Sequence, residues 1–314
     1  MKRETIWGDI QIFDAHVHFF SHKYFRMLAE QSQNLRKDGN AVERIGEITG
    51  LEMPPENPVD FAYRWIQELD QKGIEKAMMM ASLPGDEDSV SEAVRAFPDR
   101  IYGGFFFNPL LTDAFERAKR AFDEFNLKVI CFFPAMHGYS VADNETVHQI
   151  IRELVQKRNG RAVFIHCGAL SIGIRKKLGL KSVFDLRLSN PLEVHKLASE
   201  YPDVNFIIPH FGAGLFREAL MAAELCPNIY FDTSSSNRWV QYEPSNISIK
   251  EVFEKALEIL GPKRLLFGTD SSFFPRGWNQ EVFDTQVKTL AEIGISKEDA
   301  QNIFYGNLSR ILSE

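Results

Sequence analysis

Eight short apolar runs punctuate the chain, and most are followed by a stretch whose apolar residues recur at helical spacing. The runs are Ile10–His16, Ile74–Ala81, Ile101–Phe107, Leu127–Phe133, Ala162–Cys167, Val204–Pro209, Asn228–Asp232 and Arg264–Thr269. Most are continuously apolar rather than alternating, as expected of parallel strands covered on both faces. The helical stretches carry their own start signals. Thr112 stands where an N-cap would precede Ala114, Phe115, Ala118, Ala121, Phe122 and Phe125. Val147, Ile150, Ile151, Leu154 and Val155 form another stripe. Ser189-Asn190-Pro191 opens a third helix, with proline where its missing N–H costs nothing. Ser296-Lys297-Glu298-Asp299 resembles a capping box with Asp in the third place.

Strand–helix alternation repeated eight times predicts an α/β fold, a (β/α)8 TIM barrel, in a single domain over residues 1–314. A doubly wound open sheet is the alternative, but no glycine-rich phosphate loop follows the first run. Two intervals are too long for plain connections. Residues 20–60 form an insertion after the first strand and residues 168–190 another after the fifth. Both leave the end of the barrel where active sites sit, so both are expected to form lids or substrate walls.

Composition narrows the class. With 44% hydrophobic and 25% charged residues, the chain has material for a substantial core. Its net charge of -7 argues against a general nucleic-acid binder, which needs a basic face. Cys131, Cys167 and Cys226 are an odd, widely spaced set without a C-x-x-C, so a disulfide framework is not expected and a reducing compartment fits. No run approaches the length of a membrane span, and the first nine residues lack the apolar core of a signal peptide. A cytoplasmic protein acting on a small molecule, without membrane or nucleic-acid partners, is the expectation.

The candidate chemistry lies at the ends of the runs. His16 and His18 flank one residue in Asp14-Ala15-His16-Val17-His18, and residues two apart on a strand share a face. His166, His210 and Asp270 each close a later run. Neutral imidazole and carboxylate suit Zn2+ and related divalent ions. His16, His18, His166 and Asp270 would supply three nitrogens and one oxygen, and a bound ion lowers the pKa of its water to about 7. His210 would then be free as a general base, with Asp270 sharing proton transfer. Arg187, Arg238 and Arg276 fall in the mouth loops and can grip a carboxylate with both oxygens, which points to an anionic substrate. His137, just past the fourth run, is a further substrate-facing candidate.

Taken together, Asp14-Ala15-His16-Val17-His18, Phe164-Ile165-His166-Cys167-Gly168, Pro209-His210-Phe211-Gly212-Ala213-Gly214, Leu266-Phe267-Gly268-Thr269-Asp270-Ser271 and Ile303-Phe304-Tyr305-Gly306-Asn307-Leu308 resemble the amidohydrolase superfamily. The resemblance is to its amidohydrolase-related group, which contains aminocarboxymuconate-semialdehyde decarboxylase, resorcylate decarboxylases and pyrone-dicarboxylate lactonase, and it covers nearly the whole chain. It implies that His16, His18, His166 and Asp270 hold one divalent metal ion, Zn2+ before Mn2+. It implies an acid/base role for His210, and a homodimer by family habit. Relatives with two metals use a carboxylated lysine at the end of the fourth strand, where this chain reads Cys131-Phe132-Phe133-Pro134. The departure implies a mononuclear centre. The expected activity is hydrolysis of a small, carboxylate-bearing ester, lactone or amide. Non-oxidative decarboxylation of an unsaturated or aromatic acid is the alternative, and a catalytically silent binding barrel the third reading.

Overall fold

In the computed structural model, which describes residues 1–36, 39–243 and 246–313, eight parallel strands run in sequential order around one sheet. They are β1 (Phe13–Phe19), β2 (Lys76–Ala81), β3 (Ile101–Phe107), β4 (Val129–Phe132), β5 (Ala162–Ile165), β6 (Asn205–Pro209), β7 (Ile229–Asp232) and β8 (Leu265–Leu266). The sheet closes where Ala15 N donates to Phe267 O at 2.8 Å and His18 N to Ser271 O at 2.8 Å. The TIM barrel read from the sequence is the fold.

Two apolar layers explain why the runs are continuous. Met78, Met80, Val129, Cys131, Phe164 and Ile207 pack inside the barrel, while Met79, Ala81, Ile130, Phe132, Val163 and Phe206 pack against the surrounding helices. Alternate residues therefore enter different cores and both must be apolar. Each fully buried aliphatic or aromatic side chain contributes roughly 1.5–3 kcal/mol relative to exposure. Polar residues gather toward the C-terminal strand ends, with Asp14 and His16 on the first strand the main exceptions.

The first strand departs from its expected position. Gly8–Ile10 pairs antiparallel with Arg3–Thr5 as a separate hairpin, so the barrel strand starts at Phe13 rather than Ile10. A register shift between Asp14 and Val17 then reverses the pleat. Phe13 and Ala15 face the barrel interior, whereas Val17 and Phe19 face the helices. The bulge is what turns His16 and His18 together toward the interior.

Other expectations hold or shift locally. Asn190 caps Pro191–Glu200 through a bond from Leu192 N, and Ser296 caps Lys297–Gln301 through one from Asp299 N. Thr112 caps nothing; Asp113 occupies the N-cap of Ala114–Asp123 without a side-chain bond. The stripe at 147–155 forms an α-helical turn, Glu145–Ile150, continued by a π-helical one, Ile151–Val155.

The two long insertions meet above the barrel. The first carries helices α1 (His22–Glu30) and α2 (Ala41–Thr49), with residues 37 and 38 outside the described residues. The second carries the short helix Gly173–Lys177. Tyr24, Phe25, Leu28, Val42, Ile45 and Ile174 bury one another in a satellite core of their own. Arg175 Nη1 reaches Gln31 Oε1 at 2.5 Å and Lys177 Nζ reaches Thr49 O at 2.9 Å, tying the insertions across the top.

Candidate metal centre and active site

The C-terminal ends of the strands surround a cavity of about 510 Å3 lined by His16, His18, His166, His210 and Asp270. All five residues read from the strand ends therefore reach one place. His16, His18 and Asp270 each offer a ligand atom within 4.8 Å of the others. His18 Nε2 lies 3.0 Å and His16 Nε2 3.7 Å from Asp270 Oδ1. His166 lines the same cavity outside that close group, its ring 5.5 Å from that of His210.

Local backbone chemistry aims these groups. Asp14 is fully buried and accepts from His16 N at 2.9 Å, Thr269 N at 3.1 Å and Trp278 Nε1 at 2.7 Å, stitching the bulge of β1 to the end of β8. Burial pushes its carboxyl up to about 6 despite those bonds. Asp270 and His210 both take left-handed backbone conformations, with φ of 57° and 54°. Such strain in non-glycine residues persists only where the surroundings impose it. Gly268 is required here, because a Cβ would lie 2.5 Å from Asp232 Oδ1 and 3.0 Å from His16 Cβ. Gly168 is required likewise, since a Cβ would meet Gly212 O at 2.2 Å and hold the loops bearing His166 and His210 apart.

The electrostatics suit a cation. Burial, helped by the neighbouring imidazoles, depresses the pKa of His166 and His210; it depresses that of His18 against the pull of Asp270. Those rings are therefore neutral near pH 7, the form that ligates metals. Burial also lowers His16, but the carboxylates of Asp232, Asp270 and Asp14 outweigh it and raise its pKa. Burial raises Asp270, yet the close side-chain contact with His18 and the pull of the His16, His18 and His210 rings when they protonate outweigh it and hold the carboxyl well below its usual range.

Hydrogen bonding tests whether the residues fit an ion. Ser82 Oγ donates to Met80 O at 3.0 Å and so accepts from His18 Nδ1 at 2.6 Å. That assigns the lone pair of His18 to Nε2, facing Asp270 Oδ1 at 3.0 Å, lone pair against lone pair unless a cation lies between them. His166 is buried and makes no side-chain hydrogen bond among the described residues. Its ring opens onto the cavity without a hydrogen-bond partner among those residues, so its nitrogens are available to an ion there. The donor set fits a divalent ion held by His16, His18, His166 and Asp270.

The predicted substrate contacts divide. Arg238 and Arg276 line the cavity, and Arg238 has no hydrogen bond or ion pair among the described residues. Arg276 Nη2 donates to Ser272 Oγ at 2.8 Å. Arg187 does not reach the cavity: its side chain is 89% exposed and chelated by Asp185 at 2.6 and 2.9 Å. The cause is local, since Asp185 caps the single turn that carries Arg187. His137 also stays outside, because the short helix Pro134–His137 turns Met136 to the cavity and buries His137 Nδ1 without a partner. Cys131 packs in the barrel interior with its thiol 3.5 Å from Met80 Sδ; Phe133 is the fourth strand's contribution to the cavity.

Two residues escaped the sequence reading. Asp232, at the end of β7, is fully buried with Oδ2 at 2.6 Å from His16 Nδ1, and it forms a second close group with His16 and His210. Ser234 lies two residues on, with Oγ 3.0 Å from His210 Nδ1. The position of Asp232 at the end of an apolar run was the available signal.

Comparison with known proteins agrees with this architecture. Residues 13–312 match the family model described as amidohydrolase. Over an alignment of 138 positions, covering 40% of this chain, it is 34% identical to protein fluG of Emericella nidulans, of which the match spans 16%. Among solved structures, an uncharacterised TIM-barrel protein from Bordetella bronchiseptica superposes with a TM-score of 0.63 at 16% identity, covering 96% of this chain and 98% of that one. An amidohydrolase from Burkholderia multivorans, solved with bound HEPES and with bound zinc, gives TM-scores of 0.61 and 0.57 at 14% identity, over 96% of this chain and 99% of that one. At such identities these two likenesses establish the fold.

Proposed function

Because the chain belongs to the amidohydrolase family, we propose that it is a mononuclear metal-dependent hydrolase of a small, carboxylate-bearing ester, lactone or amide. The observation that carries the reading is the convergence of His16 Nε2 and His18 Nε2 on Asp270 Oδ1 inside the cavity that His166 and His210 also line. Zinc is the first choice of ion for three imidazoles and one carboxylate, and it is the ion bound in the Burkholderia multivorans structure. When bound, the ion polarises the scissile carbonyl and lowers the pKa of the attacking water.

The protein's own groups do the rest. His210 has Nδ1 engaged by Ser234, leaving Nε2 to take a proton from water and return it to the leaving group. Asp270, held ionised, shares that proton traffic and keeps the nearby imidazoles oriented. Arg238 and Arg276 at the rim receive the substrate's carboxylate. Phe20, stacked 4.3 Å from Phe273, lines the site below the helical cap.

One observation favours decarboxylation as a second reading. Phe106, Phe133, Met136 and Leu170 give one side of the cavity an apolar wall, and a carboxylate held there loses its hydration. Turnover of a panel of lactones and aromatic acids in H2(18)O separates the two. Label in the product without carbon dioxide supports hydrolysis; carbon dioxide without label replaces it by decarboxylation. Elemental analysis is expected to find close to one divalent ion per chain, lost in the His16→Ala/His18→Ala variant. Two tightly held ions would overturn the mononuclear assignment.

A further inference from the structure

Strand β7 supplies neither a proposed ligand nor the proposed acid/base group, yet it ends on a fully buried carboxylate that touches the side chain of His16. Asp232 has no solvent exposure. Its Oδ1 accepts from Ser234 N at 2.8 Å, and its Oδ2 accepts from Ser234 Oγ at 2.9 Å and from His16 Nδ1 at 2.6 Å. Ser234 Oγ, having given its proton to Asp232, accepts from His210 Nδ1 at 3.0 Å, and that N–H also lies 3.2 Å from Ser234 O. Ser234 Oγ is 3.0 Å from His16 Nδ1 as well. The donors run one way: His210 Nδ1–H to Ser234, Ser234 O–H to Asp232, and His16 Nδ1–H to the same carboxylate.

We infer that Asp232 and Ser234 are positioning residues, a single buried carboxylate fixing the tautomers of two imidazoles at once, the metal ligand His16 directly and the acid/base group His210 through the serine hydroxyl. The inference rests on the proposed metal-dependent function. Carboxylate Oδ2 can only accept, so His16 must carry its proton on Nδ1 and present Nε2 to the ion. A hydroxyl whose proton is spent on Asp232 can only accept from His210, so Nε2 of that ring is left bare. The second close group of His16, His210 and Asp232 is then a hydrogen-bonded support and not another metal site, since the 2.6 Å contact is the length of an N–H···O bond and leaves no room for an ion.

Competitive Zn2+ titration against a chromophoric chelator, together with two-bond 1H–15N spectra of the metal-free protein labelled at histidine, tests this. Asp232→Asn is expected to weaken Zn2+ binding by about 10- to 100-fold, the usual worth of a carboxylate behind a ligating histidine. Ser234→Ala is expected to hold Zn2+ within about threefold of wild type, because His16 keeps its carboxylate, while shifting the His210 nitrogen signals toward a tautomer mixture. The spectra of the unmutated protein are expected to show Nδ1–H at both His16 and His210. An Nε2–H tautomer at His16 overturns the inference without reference to any variant, so a failure of Asp232→Asn to fold leaves it testable. If Asp232→Asn binds Zn2+ as tightly as wild type while His16→Ala/His18→Ala loses it, the inference falls and the proposed function stands. If the double variant keeps its Zn2+, both fall.

Discussion

The rim of the barrel has two unlike halves. Strands β2, β3 and β4 deliver Ser82, Phe106 and Phe133 to the cavity, with Phe106 and Phe133 4.0 Å apart and Phe133 stacked 5.3 Å from His166. Strands β1 and β5–β8 deliver four imidazoles and the carboxylates of Asp232 and Asp270. Among the described residues, backbone strain at the rim gathers on the β6–β8 part of the second half. His210, Phe211, Ala213, Ser235, Asn237 and Asp270 all take positive φ just after β6, β7 or β8, whereas the described turns after β2 and β4 place only glycines there, Gly85 and Gly138. Left-handed non-glycine residues cost of order 1–3 kcal/mol each. The cost is concentrated where groups must be aimed and is absent where they only pack.

Substitutions that exchange the character of the two halves break this contrast most severely. Asp270→Asn is expected to lose bound metal and activity together, read by elemental analysis beside turnover, because the amide gives up the charge that holds the cation. His210→Asn is expected to keep its metal and lose about 10²- to 10⁴-fold in kcat, the worth of a positioned proton-transfer group. Loss of the metal in that variant would move His210 among the ligands. In the apolar half, Phe133→Ala is expected to cost about 3–5 kcal/mol in denaturant unfolding with the metal content intact. Metal loss there would show that the apolar half also shapes the centre.

Asp86 sharpens the contrast from the other side. It lies beyond β2, buried, bonded by Ser21 Oγ and Ser89 Oγ at 2.6 Å each, and burial raises its carboxyl to about 6. Asp270 is moved the opposite way by its imidazole neighbours. A carboxyl that holds its proton more tightly when folded stabilises the fold most below its unfolded pKa. That contribution is lost as pH rises from about 4 to about 6, roughly 2–3 kcal/mol in all. Across this window Asp86→Asn is expected to gain stability relative to the wild type as pH rises, whatever the slope the buried histidines give both proteins. An equal slope in both would remove Asp86 from the account.

The aimed half was the more legible in the sequence. A histidine or aspartate closing an apolar run is conspicuous, and His16, His18, His166, His210 and Asp270 all reach the cavity. What supports them was less legible: Asp232 also closes an apolar run, but it meets His16 across 216 residues of chain and no local pattern marks that contact. The bulge that turns His16 inward was hidden for a similar reason, being bonded through Asp14 to Thr269, adjacent in space but 255 residues on in the chain. Arg187 misled through its position in the chain. A mouth-loop arginine looks like a substrate contact until its own neighbour, Asp185, is seen to occupy it.

The seam between β1 and β8 has a temporal meaning. His18 and Asp270 stand 252 residues apart in the chain, and their meeting depends on the bonds from Ala15 to Phe267 and from His18 to Ser271. At a synthesis rate of about 5–20 residues per second, the first-strand histidines wait roughly 13–50 seconds for the carboxylate that completes their group. A nascent chain that has made seven strands carries most of the core and the proposed ligands His16, His18 and His166, but no finished centre. Loading of the proposed ion would then be among the last events in the birth of the molecule, because a chain stalled short of β8 lacks both the strand that closes the barrel and the carboxylate that completes the group.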